Sequence, residues 1–187
     1  MTFDKLIQRA RVGDLLFFSG RSWWSRLIRL RTAAKWSHVG IVSHVEKSNR
    51  PGGNLVLITE ALEGKGVVTQ PADVWRFWNG TVALGCVART DAVRKTVAEY
   101  AKGQEKCLYA SPRQFIRSFS FLWAKLTRAM DIPADVNERR WFCSELAAAA
   151  LNITGTVDLP KDPARMQPGD LADLSFVSVT DGVPVPC

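Results

Sequence analysis

Paired cysteines are missing from this 187-residue chain. Its four cysteines, Cys86, Cys107, Cys143 and Cys187, contain no Cys-x-x-Cys, and the only histidines are His38 and His44. Zinc-ligand spacing is therefore absent, and neither a metal nor another cofactor is expected. This cysteine usage fits a reducing compartment. Long apolar runs are missing too: no stretch approaches the roughly 18 consecutive apolar residues of a membrane span. The first ten residues, Met-Thr-Phe-Asp-Lys-Leu-Ile-Gln-Arg-Ala, lack the apolar core of a secretion signal. The expectation is a soluble chain, cytoplasmic as synthesised. There is no internal repeat, no low-complexity linker and no uninterrupted Lys/Arg run of the kind that forms nucleic-acid tails. No recognised nucleic-acid motif accompanies the basic charge, so no nucleic-acid partner is expected.

What is present is ordinary globular material. Apolar residues make up 47% and charged residues 23%, which argues against a disordered chain. The length suits one domain, residues 1–187, able to bury its own core without disulfides. A net charge of +7 suits an anionic lipid surface or an acidic polymer such as cell wall, or simply solubility. The seven tryptophans are scattered, which favours core packing over base stacking.

Periodicity predicts an α+β chain. A short helix is expected over residues 3–11, then a buried strand at Leu15-Leu16-Phe17-Phe18. Ser22 can cap a helix running to Leu30. That segment mixes Trp23, Trp24, Leu27 and Ile28 with Arg21, Arg26, Arg29 and Arg31. Its apolar face either enters the core, leaving the arginines solvated, or lies on an anionic membrane. Residues 38–45, 55–59, 64–70 and 81–88 read as strands, with a hairpin turn at Asn49–Asn54, and together as an antiparallel sheet. Asp91 is a plausible N-cap for a helix ended by Gly103. A helix over 113–130 carries an apolar face from Phe115 to Met130. Another helix follows Cys143 to Leu151, and a loop-rich tail ends in a strand at 175–179. Strands followed by helices, not strict alternation, give the α+β class.

Two distant segments carry the chemistry. Trp36-Ser37-His38-Val39-Gly40-Ile41-Val42 puts a histidine at the start of a strand. Trp141-Phe142-Cys143-Ser144-Glu145-Leu146 puts a cysteine at the start of an alanine-rich helix, where unpaired N–H groups favour a thiolate. A neighbouring imidazolium would favour it further. His44 is the rival base; six residues along a strand, it is expected on the same sheet face as His38 and about 20 Å from it. Glu60 ends the next strand. If the two strands pair antiparallel, its carboxylate reaches the imidazole and fixes its tautomer. Taken singly, these residues have ordinary readings: a packed cysteine, a strand-edge histidine, a solvated strand end. Cys86, in an apolar run, reads as a buried thiol. It is the joint placement of Cys143, His38 and Glu60 that points to a cysteine hydrolase.

These segments resemble the circularly permuted branch of the NlpC-type papain-like cysteine hydrolases, the YiiX-type group. The matching pieces are Gly13-Asp14-Leu15-Leu16-Phe17, Ser37-His38-Val39-Gly40-Ile41, Glu60-Ala61, Phe142-Cys143-Ser144-Glu145-Leu146 and, more weakly, Gln167-Pro168-Gly169-Asp170-Leu171. The resemblance implies a permuted papain-like core, with an antiparallel sheet or partial barrel packed on helices. It implies Cys143 as nucleophile, His38 as base and Glu60 as the orienting residue. Tyr109 resembles the tyrosine of a Tyr-Asp pair that often precedes the cysteine in relatives, and its hydroxyl is expected to help line the oxyanion site, although Ala110 stands where they carry aspartate. Trp36, next to His38, is expected to line the cleft. The implied activity is amide hydrolysis of a peptide, with cell-wall peptidoglycan as a candidate source, by a thiol protease or amidase. Lipid acyl transfer or thioester cleavage by the same cysteine is an alternative. A non-catalytic binding module for cell wall or an acidic polymer is another.

Overall fold

The computed structural model describes residues 2–48, 53–110 and 140–185. Its backbone is built from a seven-stranded sheet. The strands, in chain order, are β1 (Leu15–Gly20), β2 (His38–Glu46), β3 (Leu55–Leu62), β4 (Gly66–Pro71), β5 (Gly80–Val87), β8 (Val177–Val179) and β9 (Val183–Val185). Their order is β4-β3-β2-β1-β5-β8, with β9 also on β5, and every pairing is antiparallel. Two short strands, β6 (Leu108–Tyr109) and β7 (Arg140–Trp141), pair in parallel beside it. The helices are α1 (Phe3–Arg9), α2 (Trp23–Thr32), α3 (Asp91–Lys102), α4 (Cys143–Asn152) and α5 (Pro168–Ala172).

The run Leu15-Leu16-Phe17-Phe18 is buried throughout because the sheet is covered on both faces. Side chains alternate along a strand. Leu15 and Phe17 therefore join one core with Val39, Ile41, Val97, Leu146 and Leu151, under α3 and α4. Leu16 and Phe18 join the other with Leu6, Ile7, Val42, Ile58 and Val82, under α1. Each fully buried large side chain of this kind stabilises by about 1.5–3 kcal/mol.

A buried ion pair ties the sheet to α3. Asp14 Oδ1 lies 2.8 Å from Arg94 Nη2, with the two side chains 0% and 2% exposed. The same carboxylate accepts the N–H groups of Val87 at 3.0 Å and Arg11 at 2.9 Å. Arg94 also donates to the Val87 carbonyl. Gly13 precedes this pair at φ +81°, and a Cβ there would stand 2.6 Å from the Arg94 carbonyl oxygen. The Gly-Asp-Leu piece is thus a structural joint: glycine lets the chain pass over Arg94, and aspartate neutralises it.

Several sequence expectations need correction. Thr90, not Asp91, caps α3: its Oγ1 accepts the Val93 N–H at 3.4 Å, and Asp91 is the first helical residue. The loop-rich tail contains a helix, α5, and a second strand, β9, which pairs with β5. Strand β8 begins at Val177 rather than at residue 175. Cys86 is partly exposed, not buried. Strand β2 slips register at Ser43, so Val45 rather than His44 shares the apolar face of Val42. His44 is exposed and does not share the sheet face of His38; the bulge breaks the even-spacing argument. The helix expected over 113–130 and most of the turn at 49–54 lie outside the described residues.

Candidate functional site

The first site residue is fixed by the edge of β1. His38 opens β2 and makes its last pair with β1, opposite Phe18. Just before it, the Ser37 N–H donates to the Phe18 carbonyl at 2.8 Å, and Ser37 Oγ accepts the Gly20 N–H at 3.3 Å. The imidazole lies against the rings of Phe18 (centroids 5.3 Å apart) and Trp75 (5.8 Å).

Glu60 comes from β3, which pairs antiparallel with β2. It sits within the strand rather than at its end, and it is completely buried. Burying a carboxylate is costly unless its oxygens are satisfied. Here they are. Oε2 lies 2.6 Å from His38 Nε2, and Oε1 accepts from Gln70 Nε2 at 2.7 Å and Trp75 Nε1 at 2.9 Å. Gly40, two residues beyond His38, leaves the room: a Cβ there would stand 3.3 Å from the Glu60 Cβ. Sequence reading missed Gln70 and Trp75. Nothing in their local sequence signals a role, because the β3–β4 pairing and a 3-10 turn at Ala72–Trp75 bring them to Glu60.

The third residue opens α4. Cys143 is buried, with its helix packed on β2 and α3. Its sulfur is within hydrogen-bonding reach of the His38 side chain. Since His38 Nε2 is engaged by Glu60, Nδ1 is the nitrogen left for the sulfur. Burial disfavours the thiolate. The charge of His38, its hydrogen bond and the N–H groups of Val39 and Ser144 outweigh that, so the thiol pKa falls below its ordinary 9.0. For His38, burial works against the charged form. Attraction and hydrogen bonding to Cys143, then to Glu60, overcome it and push the pKa up to about 10 from 6.5. The two shifts describe one object, a thiolate–imidazolium pair held near neutral pH.

Around the sulfur is a small cleft of about 60 Å³. Its floor is Cys143 with Ser37, and its walls include Ile28 and Thr32 of α2, Phe142, Met166 and Tyr109. Tyr109 is placed by the β6–β7 pair, in register with Trp141, and its ring meets Phe142 edge-on at 5.9 Å. Burial, then the charge of Cys143, raise its phenol pKa, so it stays a neutral O–H. Ala110 follows, its N–H donating to the Trp141 carbonyl at 3.1 Å. Trp36 does not line the cleft. It is 5% exposed and packs on Phe17 at 5.8 Å, in the core on the α4 side. Trp36 lies before β2 begins at His38, where strand alternation does not govern it, so nearness to His38 in sequence misplaced it.

Neither a family model nor a curated protein matches the chain. A solved structure does: that of the metalloprotein yiiX from Escherichia coli O157:H7, DUF1105, with TM-score 0.62 and 17% identity, covering 92% of this chain and 97% of that one. The two chains share a fold. The word metalloprotein belongs to that protein. Among the described residues here, no three His, Cys, Asp or Glu side chains are grouped to hold a metal ion. Glu60 lies behind the imidazole, on the side of Nε2, and does not converge with Cys143 on a common point. No described helix is long and apolar enough to cross a membrane.

Proposed function

We propose that this chain is a cysteine hydrolase of the permuted papain-like kind, cleaving an amide bond through a Cys143–His38–Glu60 triad. One observation carries the reading: a buried sulfur at a helix N-terminus faces an imidazole whose other nitrogen is held by a buried carboxylate. A structural cysteine needs none of these partners.

The proposed steps use these groups as follows. The Cys143 thiolate attacks the substrate carbonyl carbon, and the oxyanion forms near the start of α4. There the Cys143 N–H, in the first turn, has no acceptor within the helix. The Tyr109 O–H, in the same cleft, is a second donor. The His38 imidazolium gives its Nδ1 proton to the leaving amine as the C–N bond breaks, leaving a thioester on Cys143. Water, deprotonated by the now neutral His38, attacks the thioester. The acid is released and the thiolate–imidazolium pair is restored. Glu60 keeps the imidazole in the tautomer and orientation each step requires.

The peptide is the first substrate class, with cell-wall peptide the named candidate. A second reading uses the same cysteine on lipid acyl groups, as a thioesterase or acyltransferase. Ile28, Phe142, Ala164, Met166 and Pro168 support it as apolar contacts for an acyl chain, while Glu145, Arg165 and Gln167 on the same cleft suit a polar peptide. The test is a cysteine-directed activity probe with mass spectrometry of the labelled peptide, followed by turnover of peptide and acyl-ester substrates. Label on Cys143, lost in Cys143→Ala, supports the triad. Label on Cys107 in its place rejects it.

A further inference from the structure

Helix α2 carries an apolar row on its outer face. Residues three and four apart share a helix face, and Trp23, Arg26 and Leu30 form one such row. All three are exposed, Trp23 at 73% and Leu30 at 82%. The opposite side carries Ile28 and Thr32, which line the cleft, and a charge sits on the flank between the two. Arg29 reaches inward, donating from Nη1 to Ser19 Oγ and from Nη2 to the Gly20 carbonyl, both at 3.1 Å. The helix thus half-buries an arginine on its flank and presents a tryptophan and a leucine to the outside. Trp23 therefore lies outside the core, whereas Ile28 of the same segment is partly buried.

The patch continues beyond the helix. The Arg21 N–H donates to the Asn79 carbonyl at 3.3 Å, which brings the 72–79 turn alongside the start of α2. That turn exposes Phe77 at 74% and Val74 at 52%. Charge around the row is of one sign. Between Asp14 and Glu46 the sequence has Arg21, Arg26, Arg29, Arg31 and Lys35 and no acidic residue. The nearest acid on the turn, Asp73, is paired with Arg76 at 2.9 Å. Aromatic and aliphatic side chains projecting beside arginines are what an anionic lipid interface accepts: rings and methyls enter the acyl boundary while guanidinium groups meet phosphates.

We propose that the outer face of α2, with Trp23 and Leu30 as anchors and Arg21 and Arg26 as charge contacts, docks the protein on an anionic lipid surface. The same helix walls the cleft with Ile28 and Thr32. Docking would therefore bring the Cys143 cleft to the membrane, whichever bond the cysteine cleaves.

The test is co-sedimentation of the purified full chain with vesicles of phosphatidylcholine alone and of phosphatidylcholine mixed with phosphatidylglycerol. Binding is expected to the mixed vesicles and not to the neutral ones, and high salt should weaken it. W23S/L30S and R21E/R26E should each lower the mixed-vesicle partition about tenfold or more. Alkylation of Cys143 should be unchanged in W23S/L30S, which shows that the variant is folded. C143A should bind vesicles like the parent, so failure of the hydrolase reading leaves this one standing. No binding to mixed vesicles overturns the proposal, as does equal binding by either double variant. A dimer in ultracentrifugation that W23S/L30S dissociates, with vesicles ignored, assigns the face to self-association and overturns it as well.

Discussion

Trp75 donates its indole N–H to Glu60 Oε1 at 2.9 Å while its ring lies 5.8 Å from the His38 imidazole. One side chain from a 3-10 turn therefore braces both the carboxylate and the ring that the carboxylate orients. With Gln70 on the same oxygen, it leaves Oε2 to His38.

Thiol reactivity should report the ion pair directly. The thiol pKa of Cys143 is lowered, so iodoacetamide should alkylate it well below the pH at which ordinary thiols react. Replacing His38 with Ala removes the stabilising charge and leaves burial, which acts the other way. Alkylation at neutral pH should then fall at least about tenfold and recover as pH rises. A profile unchanged by His38→Ala would show that the imidazole does not control this sulfur.

Glu60→Gln keeps size and removes charge. His38 should lose part of its upward shift, and turnover and Cys143 alkylation at neutral pH should drop by about tenfold or more. Glu60→Ala should in addition destabilise the fold, because the buried Gln70 and Trp75 donors lose their acceptor, at roughly 1–3 kcal/mol for each. Denaturant titration separates the two variants: the Gln form should stay near the parent and the Ala form should not.

Gly40→Ala tests how closely the triad is packed. The added methyl meets the Glu60 Cβ at 3.3 Å and Oε2 at 3.7 Å. The carboxylate must shift by a few tenths of an ångström. Alkylation of Cys143 should slow severalfold while stability changes by no more than about 1 kcal/mol. Paired measurements of alkylation rate and chemical unfolding check both halves.

The pH dependence of stability follows from the two shifts. The folded pKa of His38 is raised, so its contribution is full below 6.5 and is lost as pH rises towards about 10. That of Cys143 is lowered, so its contribution is full above 9.0 and is lost as pH falls. Between 6.5 and 9.0 the two trends oppose, because folded and unfolded pairs each hold one proton. The contribution of the pair should therefore be flat in that window and decline from 9.0 towards 10. Thermal unfolding of the parent against a His38→Asn/Cys143→Ser variant across this range measures it. A difference that keeps rising above pH 9 would contradict the assignment.

Arg94→Ala should be the most damaging of these changes to stability. It leaves the Asp14 carboxylate buried without its cation, at a cost of about 3–5 kcal/mol. The ion pair lies away from the cleft walls, so any surviving folded protein should keep its Cys143 alkylation rate. Urea unfolding and alkylation on the same sample distinguish a structural joint from a site residue.

Local signals were enough for most of the frame. Alternating and continuous apolar runs marked β1 to β5 to within about three residues, since the strands of a covered sheet are mainly apolar and buried polar residues such as Glu60 need partners. Ser22 caps α2 as expected, its Oγ accepting the Ser25 N–H at 3.2 Å. What failed did so for local reasons that only partners reveal. Thr90 outcompeted Asp91 as a cap, a bulge at Ser43 turned His44 away, and β9 formed because β5 offered it an edge.

For the site, sequence by itself determined which atoms are available: a cysteine at a helix start, a histidine at a strand start and a glutamate on the next strand. Those positions are set by helix and strand periodicity, which are properties of short segments. Tertiary structure decided everything that depends on distance. It carried α4 onto β2 across more than a hundred residues of chain, and buried Glu60 beneath Gln70 and Trp75. It also sent Trp36 into the core and turned Trp23 and Leu30 outward. Packing chooses among the faces a helix or strand can present, and that choice depends on residues remote in the chain.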